Sequence, residues 1–125
     1  MWPAHGVQGT RDAEFYPGQI EKPDDIIIQK GTQVQLDAYS AFFDNARLRK
    51  TGLDSQLQSL GIQRLYLVGL ALDYCVAWTA CDAASLGYDT TVITSACRAI
   101  GNATAAKEKL KKCGVKIIDA LPPLP

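Results

Sequence analysis

Cys75 stands where the chain leaves an apolar run and enters a helical one, in Gly69-Leu70-Ala71-Leu72-Asp73-Tyr74-Cys75-Val76. Reactive groups in open α/β sheets gather at the carboxyl ends of strands. Unpaired N–H groups in the first turn of a helix favour a thiolate, the nucleophilic form of cysteine. The chemistry offered is attack by sulfur on an electrophilic carbon. A buried helix cysteine satisfies the same pattern, because free cysteine often packs as a small hydrophobe, so position alone leaves both readings open. Lys30 closes the run Ile26-Ile27-Ile28-Gln29-Lys30, directly before Gly31. A lysine at a strand's carboxyl end points into the crevice used by a nucleophile on a neighbouring strand, where its charge can stabilise a thiolate or polarise a carbonyl. Alone it is a solvated strand end, and its pairing with a helix-start cysteine is what raises its interest.

His5 is the only histidine. Zinc and iron sites take at least three protein ligands, and the segment around His5 offers no acidic neighbour at ligand spacing, so by itself it reads as a loop histidine. Tyr39, Phe42 and Phe43 are either core anchors or the wall of an apolar pocket for a flat ring.

These residues need strands and helices to position them. Runs of consecutive apolar residues at 25–30, 64–70, 89–96 and 115–120 predict strands covered on both faces in a parallel sheet. Thr51 with Asp54 predicts a capping box for a helix bearing Leu53, Leu57 and Leu60, which Gly61 ends. Residues 74–86 are apolar on nearly every side and predict a deeply packed helix ending at Gly87. Asn102 caps a last helix, where Ala103, Ala106, Leu110 and Cys113 share a face before Gly114. Residues 1–24 and 31–50 read as loops. The alternation of strand and helix predicts an α/β fold of three layers with right-handed crossovers.

With 47% hydrophobic and 21% charged residues over 125 positions, the chain is one globular domain or a large piece of one. Thirteen basic and thirteen acidic residues cancel, which argues against nucleic acid or an anionic membrane as partner. Lys107, Lys109, Lys111 and Lys112 lie at helical spacing and read as a solvated face. Four cysteines without metal-site pairing or disulfide-scaffold density point to a reducing compartment. No apolar run reaches membrane-spanning length and no signal layout opens the chain, so the expectation is a soluble, cytoplasmic protein.

Four segments in this order, WPAHGVQGT, IIIQKG, DAYSAFFDN and GLALDYCVAWTACDAASLGY, resemble the nicotinamidase branch of the isochorismatase-like cysteine hydrolases. The resemblance runs from residue 2 to about residue 120. It implies a three-layer α/β/α fold with a mostly parallel sheet, incomplete at the N-terminus, and a single hydrolase domain over 1–125. It makes Cys75 the nucleophile and Lys30 the triad lysine, with the backbone N–H groups of Ala71 and Cys75 as oxyanion hole and a non-proline cis peptide joining Leu70 to Ala71. His5 matches a ligand of the family's single divalent metal, taken as zinc. Trp2 and Tyr39 match residues lining the ring pocket, and Tyr74 holds a variable position that also touches substrate. The implied reaction converts nicotinamide to nicotinate and ammonia through a thioester, in NAD salvage. The partner is then a small aromatic amide, with room for a homo-oligomer.

Departures from the family matter as much. Its triad aspartate and further metal ligands lie in segments that precede the region where this chain starts, and no aspartate here has such a context. The position after His5 is Gly6, where the family commonly has cysteine. Like for like, the isolated chain is expected to be inactive or barely active. Two rival readings are another isochorismatase-like amidase and a catalytically inactive truncated product.

Overall fold

In the computed structural model, which describes residues 2–123, three parallel strands form one sheet in the order β1–β2–β3. They are β1 (Arg64–Leu70), β2 (Asp89–Arg98) and β3 (Lys116–Ile118). Parallel neighbours require a crossover, and two helices supply it: α2 (Ala77–Ser85) joins β1 to β2, and α3 (Ala103–Lys112) joins β2 to β3. A short helix, α1 (Leu53–Ser59), precedes β1. β1 spans the predicted residues and β2 runs past its predicted end. β3 starts late because the Val115 N–H closes the end of α3 on the Leu110 carbonyl (3.0 Å) instead of entering the sheet.

Small side chains set how closely α2 meets the sheet. Ala77, Ala80 and Ala83 recur every third residue on one helix face, and all three are fully buried. Val92 of β2 packs with Ala77, Ala80, Ala106 and Leu110 in the main core. Phe42, Phe43, Ala83 and Tyr88 form a second cluster, flanked by Leu53, Leu57 and Leu65. Since successive strand residues face opposite sides, Leu65 and Leu67 turn toward the helices while Tyr66, Val68 and Leu70 turn away, Leu70 being 73% exposed. The fold is thus a parallel α/β sheet, with its helices on one face among the described residues.

Four local expectations are corrected. Residues 25–30 form no strand: local β preference supplies no ladder partner, and Ile26 and Ile27 are about half exposed, at 50% and 55%. The Thr51–Asp54 capping box does not form. The Thr51 hydroxyl donates to the Ala41 carbonyl (2.5 Å), and Asp54 accepts from the Tyr88 hydroxyl (2.6 Å). The helix expected over 74–86 is preceded by a π-helical turn, Leu72–Val76, before α2 proper. Finally, Cys81 and Cys113 are joined as a disulfide with Cα atoms 5.3 Å apart, leaving Cys75 and Cys97 free. Asn102 caps α3 as expected, accepting from the Ala105 N–H at 3.0 Å. No helix among the described residues is long and apolar enough to cross a membrane.

Candidate active site

The exit from β1 is built to turn sharply. Leu67 faces Val92, yet Gly69 faces Cys97, so β2 carries extra residues opposite this point. Such a bulge bends a strand and re-aims the residues beyond it. Gly69 takes φ 124°, a conformation open to glycine, and the next peptide, Leu70–Ala71, is cis. The π turn then winds onto the Ala71 carbonyl, which accepts from the N–H groups of Tyr74 and Val76, each at 3.1 Å. Turns of this kind recur at functional sites. Here it places Tyr74 and Cys75 on the wall of a cleft of about 720 Å³, a size suited to a small molecule.

Asp73 clasps this turn to the segment after β2. Its carboxylate accepts from the N–H groups of Ile100 (3.0 Å) and Gly101 (2.7 Å). Desolvation pushes its pKa up, but the hydrogen bonds from Ile100, Gly101 and its own N–H outweigh this, and the carboxyl sits below its ordinary value.

Lys30 reaches the cleft although its segment is not a strand. Its ammonium donates to the Ala38 carbonyl at 2.6 Å and to Cys75 Sγ at 3.4 Å. The lysine and the cysteine, 45 positions apart, are therefore neighbours in space. The other residues singled out from the sequence, Trp2, His5, Tyr39, Ala71 and Tyr74, line the same cleft. Phe42 and Phe43 do not: they belong to the second core cluster, which leaves Tyr39 as the wall residue of its segment.

The aromatic wall is tightly cross-braced. Trp2 Nε1–H donates to the Tyr39 hydroxyl at 2.8 Å. The Tyr74 ring meets both partners edge to face, with centroids 5.1 Å from Trp2 and 5.4 Å from Tyr39. That is the preferred geometry of aromatic pairs.

His5 donates from Nδ1 to the Pro3 carbonyl at 2.7 Å, because a carbonyl can only accept. This leaves Nε2 as the nitrogen able to bind a metal. A metal site needs more than one donor, and among the described residues no three His, Cys, Asp or Glu side chains converge. The described residues do not by themselves make a metal site.

Two residues of this site were not singled out from the sequence. Asp73 has partners 27 and 28 positions away, and nothing local marks them. Arg98 also lines the cleft, its guanidinium donating to the Ser95 (3.0 Å) and Cys97 (2.6 Å) carbonyls. Its signal was only its place at the end of β2.

The isochorismatase domain matches residues 1–121, and the chain belongs to that family. Within it, the chain is 42% identical over 123 residues to the nicotinamidase of Acinetobacter baylyi, covering 96% of this chain and 58% of that protein. Its structure is similar to that of a nicotinamidase and pyrazinamidase of Acinetobacter baumanii, with TM-score 0.89 and 41% identity over 94% of this chain and 58% of the other. It is also similar to the pyrazinamidase of Pyrococcus horikoshii in complex with zinc (TM-score 0.83, 34% identity, 96% of this chain and 64% of the other). The chain thus spans somewhat more than half the length of these relatives.

Proposed function

We propose that Cys75 is the nucleophile of an amide hydrolase acting on nicotinamide. The observation that carries this reading is the 3.4 Å contact of Lys30 Nζ with Cys75 Sγ inside a cleft walled by aromatic rings. It is supported by similarity to enzymes named as nicotinamidases.

In the proposed reaction Trp2, Tyr39 and Tyr74 hold the pyridine ring, and the Cys75 sulfur attacks the carboxamide carbon. The S–C bond forms, and the C–N bond then breaks. The thiol proton leaves with the nitrogen as ammonia, giving a nicotinoyl thioester. Water adds to the thioester carbon, the S–C bond breaks, one proton of the water returns to sulfur and the other passes to solvent, and nicotinate departs. Lys30 stabilises negative charge on sulfur. The N–H groups of Ala71 and Cys75 receive the negative oxygen of each tetrahedral intermediate. Cys75, Lys30 and Ala71 are thus the catalytic residues, and His5 is one donor to a divalent metal, zinc by analogy with the Pyrococcus relative. The setting proposed is cytoplasmic NAD salvage, with residues 1–125 forming part of a single hydrolase domain.

Ammonia release from nicotinamide, compared between the chain and Cys75→Ala, tests the reading. Release that depends on Cys75 supports it, and equal release from both proteins removes the catalytic role assigned to this chain.

A further inference from the structure

Behind the cleft wall lies a second aromatic layer. Trp78 is four residues beyond Tyr74, one turn along the same helical segment, and it does not line the cleft. Its ring meets Tyr39 edge to face, with centroids 5.5 Å apart and planes at 65°. Lys109 of α3 holds its ammonium 4.3 Å from the indole centroid, a cation–π contact. One residue further on, Thr79 Oγ1 accepts from the Ala41 N–H at 2.9 Å, so this stretch of α2 grips the Tyr39 segment twice.

We propose that Trp78 is a positioning residue for the ring pocket: braced by Lys109, it sets the tilt of Tyr39 and thereby the fit of a flat aromatic amide beside Cys75. The inference rests on the nicotinamide reading and names the residue that tunes it. Tyr39 sits in irregular chain, where no ladder of hydrogen bonds fixes its plane. Its constraints are Trp2, Tyr74 and the bond from its own N–H to Asn45 Oδ1 (3.0 Å), together with Trp78, which alone among the aromatic partners approaches from outside the pocket. Of these supports, Trp78 is the aromatic ring carried on α2. Cys75 is held separately by the π turn, so loosening Trp78 should change how the ring binds without changing the thiol.

The test is an NMR titration of the 125-residue chain with nicotinamide, alongside the rate at which iodoacetamide alkylates Cys75, read by mass spectrometry. Trp78→Leu should weaken binding about three- to tenfold, the value of one lost aromatic pair. Trp78→Phe should stay within about twofold because it keeps a ring, and the alkylation rate should be unchanged in both. Lys109→Ala, a surface change that leaves the core intact, should weaken binding about twofold and serves if Trp78→Leu does not fold. Unchanged affinity in the folded variants overturns the role of Trp78. So does an alkylation rate that falls in step with binding, which marks general loosening. A wild-type chain that does not bind nicotinamide overturns the function reading and this inference with it, whereas a binding wild type matched by its variants overturns the Trp78 role alone.

Discussion

The cleft has two walls made in different ways. One, from Ala71 to Cys75 and from Arg98 to Ile100, hangs from the ends of β1 and β2, over a core whose main side chains are fully buried and whose crossover helices are joined by the Cys81–Cys113 disulfide. The other, carrying Trp2, His5, Lys30 and Tyr39, is irregular chain without a ladder. It is attached by Phe42 and Phe43, which pack against Ala83 and Tyr88, and by individual contacts: Lys30 to Cys75, Ala41 to Thr79, and the Arg47–Asp82 ion pair (2.7 Å). Stability resides mainly in the first wall, and two of the three aromatic side chains proposed to hold the ring, Trp2 and Tyr39, lie on the second. A substitution can therefore strike one and spare the other.

The sharpest break is at the junction. Ammonia release from nicotinamide by the wild-type chain, slow as it is expected to be, should fall to background in Cys75→Ala because the proposed nucleophile is lost, while the melting temperature stays near wild type. Next in size, Leu110→Ala empties a fully buried position of the body. It should cost about 2–5 kcal/mol by denaturant unfolding, with native protein at 25 °C still binding nicotinamide. Reducing the Cys81–Cys113 bond, or replacing both cysteines by serine, opens a link across 32 positions. The chain entropy of such a loop is worth about 3–4 kcal/mol at most, visible as a lower melting temperature in reductant; equal melting with and without reductant would show that the link adds no stability.

The smallest effect should come from Asp73→Asn. The carboxyl's folded pKa is lowered from 3.8, so its contribution is fully present above the unfolded value and is lost as pH falls through the folded one. Wild type should therefore lose melting temperature on acidification below about pH 4 more steeply than Asp73→Asn. Parallel curves for the two proteins would dismiss the clasp.

The body was largely readable from the sequence and the loop wall only in part. Continuous apolar runs identified β1 and β2, although β1 is not covered on both faces as expected, Tyr66, Val68 and Leu70 being exposed, and Asn102 and Gly114 bounded α3 by local capping chemistry. The run 25–30 carried the same signal and failed, since a strand exists only with a partner and β preference is blind to partners. Thr51 and Asp54 had capping spacing, yet the Thr51 N–H that Asp54 would receive donates to the Phe42 carbonyl (2.9 Å), and the Asp54 carboxylate accepts from the Tyr88 hydroxyl. The disulfide and the Asp73 clasp were invisible for a related reason: helix packing and the β2 exit bring distant positions together. At the site, Cys75 and Lys30 were legible as a pair, and Trp78 was hidden because a helix tryptophan reads as core.

The aromatic cluster also shapes how the protein can be observed. The chain has two tryptophans, and Trp2 and Trp78 stand on either side of the Tyr39–Tyr74 pair. Both indoles are thus within one ring of the cleft, and tryptophan emission of the unlabelled protein reports on the contact between the irregular wall and α2. Unfolding followed by fluorescence should track the irregular wall, while circular dichroism tracks the helices. A gap between the two transitions would measure how independently the walls come apart.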